Sequence, residues 1–559
     1  MPYRNLDEFL IRLEQSEELI TINQPISADL ALTTLTEQAA RTHNKALWFS
    51  HVAGSAFPVV SNLFGSEQRL AWGLGLESLA DLETRLNHIL DIDLPPTMAQ
   101  VMGRVGELMR AVRTPGRSVQ TAPVQAVRLP PDIRHLPRLR GWPEEPHPTL
   151  RGVQIITSAA GKQRVRYGWA VMMPDGRLGL PHHPLDTAGA AVALVLGGDP
   201  AAMWAASADL PLDLDPYWLA GWLRGKPLML VPGVSQPVQV PTDAEIIIEG
   251  IIQSDAVVRC GPFAGEDGCY IPHVDFLPVE ITAITHREDA FFPVSVILPP
   301  PSEQMTLQRA AERLFTAMLR RLYPGLIDIH CPVEGAFRHL AIVRVNAHHM
   351  PQVRRLIHGL WAFGPLTHIK TIVVVDEDAP YDLAGLIQHL LHHVDWSRDV
   401  MVVEGELHPD DPSGGFGGKL AVDATCKACG VHAEASGLEA DPLTALIGTR
   451  WRLWYDRVLV IPSAAAPDAA LRDQVAALCP EHHLIFADNV EDLPAHALLP
   501  YALHSVDWRR DLTIENNRVR LQLIGRGAPL VSRTKDHAST RERKSRLRTG
   551  HVRADRPAL

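Results

Sequence analysis

Apolar positions change their period several times along this chain, and each change marks a different kind of element. Phe9, Leu10 and Leu13 recur at helical spacing, Leu19 to Ile22 (LITI) predicts a short strand, and Ile26-Ser-Ala-Asp leads into a second helix through Leu35. The run FPVVSNLFGS, Phe57 to Ser66, is a strand ending in a glycine turn, so the first segment is of mixed α/β character. From Arg128 to Pro148 the chain is too rich in proline for helix or central strand, because proline lacks the amide donor and restricts its predecessor. Beyond it, GVQIITS, RYGWAVMM, PLMLVPGV, AEIIIEGIIQ and LPVEITAITHRED are strand-like runs bounded by turn residues, the pattern of a mainly antiparallel β domain or barrel. Pro299-Pro300-Pro301 closes that region. A helix is predicted over 302–322, followed by the strands LAIVRVNA and HIKTIVVVDED, the latter ending in acidic residues where α/β folds often place ligands.

Two later stretches resemble each other. IKTIVVVDEDAPYDLAGLIQHLLHHVDWSRDVMVVEGE and the segment from YDRVLVIPS to HALLPYALHSVDWRRDLTIENN both carry V-D-W-x-R-D after an apolar helix, at a period near a hundred residues. That is too long for a solenoid and is read as a candidate duplicated α/β half-domain. The resulting expectation is a multidomain α/β protein: an N-terminal α/β domain over 1–115, a central β-barrel over 116–320, a C-terminal α/β domain over 321–430, an extension repeating that unit over 431–530, and a basic, disordered tail over 531–559.

Composition narrows the function classes. A chain of 559 residues with 46% apolar residues is too long for one core. A formal net charge of −11 opposes nucleic acid and anionic membrane. No apolar run approaches a membrane span, the start lacks a signal-peptide pattern, and six cysteines form no disulfide framework, which points to the cytoplasm.

In order, NLDEFLIRLEQ with FPVVSNLFGS, GWPEE (Gly141 to Glu145), LAGWLRGKP (Leu219 to Pro227), VPTDAEIIIEGII (Val240 to Ile252), GPFAGEDGCY, AITHRED and GGKLAVDAT resemble the UbiD family of decarboxylases as far as about Lys427. The resemblance implies a central barrel of the split, flavin-reductase-like kind and a C-terminal domain used in homo-oligomerisation. It also implies reversible, non-oxidative decarboxylation of a small aromatic or α,β-unsaturated acid, with a 4-hydroxybenzoate-type quinone precursor closest. The cofactor it implies is prenylated FMN, made by a flavin prenyltransferase and held through a divalent Mn or Mg ion and K+. Loss of carbon dioxide leaves an unstable carbanion, which is why such chemistry needs an electron sink and a proton donor.

Carried over position by position, the pattern departs from the family. The asparagine metal ligand and the arginine five residues later are Arg164 and Trp169 here, and an arginine offers a metal no lone pair. Arg164 or Arg166 is instead a candidate direct phosphate ligand. The metal histidine falls at His182 or His183. The metal glutamate falls at Pro216, with Asp215 and Asp213 beside it, so His183 and Asp215 are the candidate metal ligands. Of the catalytic glutamates, the first position is Cys260, and the second is Gly265 without a gap or Glu266 with a one-residue slip, which leaves Glu266 as the candidate acid. Lys419, after a glycine-rich bend, is the candidate flavin or phosphate ligand. Cys426 and Cys429, with His432, Cys479, His482 and His483, admit a weaker zinc reading. Two functions stay open: a decarboxylase with a divergent site, or a catalytically degenerate subunit that keeps the fold as assembly or regulatory partner of a carboxylase.

Overall fold

The computed structural model describes residues 3–90 and 114–523, apart from 160, 184–185, 187–188, 211–213, 254–256, 267–268, 300–301, 347–351, 410, 412, 427–437, 439, 449–450, 489–501 and 516. The 531–559 tail, Asp213, Cys429 and His432 therefore lie outside the described residues.

Local chemistry sets the first helices. Asn5 caps helix Leu6–Gln15 by accepting the Glu8 amide at 3.1 Å, and Leu6, Phe9, Leu10 and Leu13 form its buried face. The N-terminal sheet runs in the order Leu19–Ile22, Ala46–Phe49, Val59–Ser61 and Phe292–Val294. Its last strand arrives from far along the chain, which fastens this domain to the next.

Six strands then close into an antiparallel barrel: Thr149–Ala159, Lys162–Met172, Leu178–Pro181, Val274–His286, Ile246–Ile252 and Ala191–Leu196, the last pairing back to the first. One buried apolar cluster takes residues from all six, among them Ile155, Met172, Leu180, Val279, Ile248 and Leu194, so it fills the interior. The PLMLVPGV run falls elsewhere: strand Met229–Pro232 pairs with Gln239–Pro241 and Arg117–Ser118 in a small separate sheet. Helix Pro216–Arg224 is framed by Asp215 at its N-cap and by Gly225, at φ 66°, at its C-cap. Its Gly221 is required by packing, since a Cβ there lies 2.5 Å from the Thr114 carbonyl. Much of the LAGWLRGKP pattern is thus accounted for by one tightly packed helix.

Helix Glu303–Leu322 leads into a five-stranded sheet of order Leu326–His330, Leu340–Val345, Thr371–Asp376, Phe416–Asp423, Val400–Glu406. The inner three strands are parallel and the outer two antiparallel to their neighbours. A second sheet, Arg452–Trp454, Val458–Pro462, His483–Ala487, Arg518–Leu523, Leu512–Glu515, has the same order and the same directions. Among the described residues no helix is long and apolar enough to cross a membrane.

Trp204 is fully buried on helix Pro200–Ser207, and its indole N–H donates to Leu307 of the long helix at 3.1 Å. Trp204→Ala removes both ring and donor, so it should cost about 3–5 kcal/mol. The expected result is a lower urea midpoint by far-ultraviolet circular dichroism.

Candidate active site

The GWPEE turn builds the floor of the site. The Glu145 carboxylate is buried; one oxygen accepts the Gly141 and Trp142 amides, both at 3.1 Å, and the other accepts the Ala264 amide at 3.2 Å and the Arg151 guanidinium at 3.3 Å. Arg151 also donates to the Ala264 carbonyl at 3.1 Å and lies 4.1 Å over the Trp169 ring. One buried ion pair therefore fixes Phe263–Ala264, the strand that delivers Glu266.

Trp169 packs with Phe263 and Phe276 at centroid distances of 5.2 and 5.3 Å, in an apolar cluster with Val171 and Met173. No charge reaches Glu266 from this position. The guanidinium that does comes from the C-terminal domain: Arg338 donates to Glu266 and, through its other terminal nitrogen, to His408 Nδ1 at 3.2 Å. The His408 ring lies 5.8 Å from His368, which contacts the Leu407 carbonyl at 3.2 Å. The preceding carbonyl, Thr367, accepts the Lys419 ammonium. Lys419 is buried on strand Phe416–Asp423, 5.6 Å from the Trp361 ring centre, and desolvation lowers its pKa to about 8 against the opposing influence of Glu406.

On the barrel side, Arg164 and Arg166 share the inward face of strand Lys162–Met172 with Ala170 and Met172. Arg166 pairs with buried Asp186 at 2.7 Å. Both arginines hold a buried Nε with no hydrogen-bond partner. Burial and the charge of Arg166 lower the His183 pKa, while Asp186 and Asp209 oppose them. Asp209 keeps solvent contact, yet enough protein surrounds it that burial raises its pKa, with the neighbouring His368, His183 and Arg338 side chains opposing. The structure thus gathers Glu266, Lys419, Arg166 and His183 along one interdomain cleft, together with Asp186, Asp209, Arg338, His368, His408 and Glu406. The sequence reading missed these six, because their only signal is the meeting of two domains.

Asp215 serves differently. Its side chain accepts the Tyr217 amide at 2.9 Å as a helix cap. Among the described residues no group of three metal-ligating side chains exists. The family's ligand set for a divalent metal is not reproduced among the described residues. The residues present do fit an anionic group, since two buried guanidinium N–H donors lack acceptors. Asp423 accepts from Thr425, Cys426 is exposed, Cys479 is buried, and His483 Nδ1 is engaged by the Val519 amide.

Three family domain models match in series: the N-terminal domain of 3-octaprenyl-4-hydroxybenzoate carboxy-lyase over residues 10–88, its Rift-related domain over 117–301 and its C-terminal domain over 305–424. The chain belongs to the UbiD family. An uncharacterized protein of Archaeoglobus fulgidus is 30% identical over 452 residues, 76% of this chain and 92% of that one. Among solved UbiD-family structures, HmfF of Pelotomaculum thermopropionicum, in complex with FMN, covers 79% of this chain and 99% of its own at 24% identity and a TM-score of 0.62. Vanillic acid decarboxylase of Sedimentibacter hydroxybenzoicus, in closed form, gives 20% identity, a TM-score of 0.67 and coverage of 80% and 100%. These two share the fold.

Glu145→Ala removes the buried carboxylate that pairs with Arg151 and accepts three amides. A loss of about 3–5 kcal/mol is expected, with faster amide hydrogen exchange in 263–266 as the local readout.

Proposed function

We propose that this UbiD-family protein is a carboxy-lyase that binds prenylated FMN with its phosphate on Arg164, Arg166 and Lys419, without an intervening metal. The observation that carries this reading is the pair of acceptorless, buried guanidinium N–H groups on the inward barrel face. Arg164 stands where the family carries a metal ligand; its fixed positive charge neutralises phosphate directly and bidentately. The flavin, when bound, supplies the electron sink that decarboxylation requires.

The chain's own groups do the rest. The substrate is a small aromatic or α,β-unsaturated acid, with a 4-hydroxybenzoate-type quinone precursor as the leading class. Glu266 delivers a proton to the carbon that has lost carbon dioxide and becomes a carboxylate, the state that Arg338 pairs with. Trp169, Phe263 and Phe276 form an apolar wall behind the strand that presents Glu266.

Two experiments test this. Protein coexpressed with a flavin prenyltransferase should release carbon dioxide from a panel of such acids, and Glu266→Gln should lower kcat by about 10²–10⁴-fold with the bound-flavin absorbance retained. Flavin binding without turnover in the unaltered protein favours the regulatory-subunit reading, to which Trp169 and Cys260 at two family catalytic positions also point.

The second concerns Lys419. It is cationic below about pH 8 and neutral above, so FMN affinity should fall as pH rises through that value. Losing one charged hydrogen bond corresponds to about ten- to hundredfold in Kd. Lys419→Met should bind weakly at pH 7 and show no pH step, by fluorescence titration. Arg164→Ala and Arg166→Ala should weaken binding similarly, and EDTA should leave the affinity unchanged.

A further inference from the structure

The two five-stranded units touch each other through equivalent parts. Each V-D-W-x-R-D segment makes corresponding local hydrogen bonds. The Asp395 amide donates to Asp399 Oδ2 at 3.0 Å and the Asp507 amide to Asp511 Oδ2 at 2.8 Å; Arg398 and Arg510 pair with the neighbouring aspartate at 2.7 and 2.9 Å. The tryptophan of each motif then crosses to the other unit. Trp508 Nε1 donates to Thr371 Oγ1 at 3.0 Å, and the Trp396 ring meets the His483 ring edge-on at 5.4 Å. Thr371 and His483 open the corresponding strands Thr371–Asp376 and His483–Ala487. Residues 508 and 396, and likewise 483 and 371, stand 112 positions apart.

Burial follows the same reciprocity. Ile342, Val375 and Val394 of the first unit and their counterparts Val460, Ala487 and Val506 of the second share one apolar cluster. The alternate positions face away in both. Ala341, Val343, Ile372 and Val374 join the main core, while Leu459, Ile461, Leu484 and Phe486 pack with helices Ala440–Ile447 and Ala469–Leu478. When residue i meets j and the counterpart of j meets the counterpart of i, the interface is isologous, the kind two identical subunits make about a twofold axis.

We infer that the Arg452–Leu523 unit is an internal partner, standing where a second copy of this chain would stand, so that the self-association face of the Leu326–Asp423 unit is closed within one chain. The family domain models end at residue 424, before this unit begins. Its contact reaches the strand of Lys419: the Gly418 amide donates to Asp507 Oδ1 at 3.2 Å, and a Cβ at Gly418 lies 2.6 Å from the Arg509 nitrogen, so only glycine admits the internal partner so closely.

The half-exposed Arg509–Glu404 pair, 3.0 Å apart, spans the two units and supplies the test in the full chain. Arg509→Glu and Glu404→Arg should each raise hydrogen exchange in 371–375 and 418–422 by about two- to fivefold, the size of a surface ion pair, and the double variant should restore it. Mixing the two single variants should restore nothing, because the contact is made in cis. Recovery on mixing, or protection at this face that falls as the unaltered chain is diluted, overturns the inference, as does a double variant that fails to recover. Trp508→Ala adds a second readout: it should open the face and make the sedimenting mass concentration-dependent, and an unchanged mass with unchanged exchange in 371–375 counts against the internal partner.

Discussion

A parallel strand apolar on both faces must be covered on both, and strand Thr371–Asp376 imposes that requirement on the whole C-terminal half. Ile372 and Val374 point into the core shared with the long helix and the N-terminal domain, while Val373 and Val375 point into the cluster shared with the second unit. A single layer of helices on one side would leave the other row of β-branched residues in water. The strands on either side obey the same rule, Ala341 and Ala421 facing one way and Ile342, Leu420 and Val422 the other. Covering both faces fixes strand Phe416–Asp423, and with it the direction in which Lys419 enters the cleft.

The barrel side of the cleft is fixed by polar contacts. Glu145 satisfies three amides and one guanidinium in a place water does not reach, and such networks hold geometry because each unpaired member is costly. Glu303 joins the same frame from another direction, accepting the Phe64 amide at 2.8 Å and the Ser295 hydroxyl at 2.9 Å. The N-terminal domain, the barrel and the long helix therefore meet around two buried carboxylates. Glu266 and Lys419, the groups proposed here as proton donor and phosphate ligand, hang from elements held in this way.

Period and punctuation made the elements legible in the sequence: the helix of Phe9, Leu10 and Leu13, the alternating barrel strands, the buried run of Thr371–Asp376, and the recurrence of V-D-W-x-R-D. Ordered motifs made the family legible. Tertiary neighbours were not. Arg338, which pairs with Glu266, lies in a turn 72 residues away with no pattern around it. Asp209 and His368 belong to different domains and come within electrostatic reach only by folding. Asp215 looked like a ligand from its position and acts as a helix cap, because a carboxylate before proline at the first helical position suits that use equally well.

On the reading proposed for Arg164, its replacement of a metal ligand and the use of Asp215 as a cap follow from one electrostatic argument. A divalent ion that bridges to phosphate brings two positive charges and needs several oxygen ligands to hold it. Two arginines bring the same charge covalently and need only an acceptor for their donors. Once Arg164 and Arg166 supply that charge, a cation bound beside them would be repelled, and an additional carboxylate ligand would compete with phosphate for the guanidinium groups. Asp186 already engages Arg166, and a second acid there would cancel the field that draws the anion in. The departures from the family pattern are then physically linked, since a site that holds phosphate by arginine functions best when its other metal-ligand positions do not bind metal.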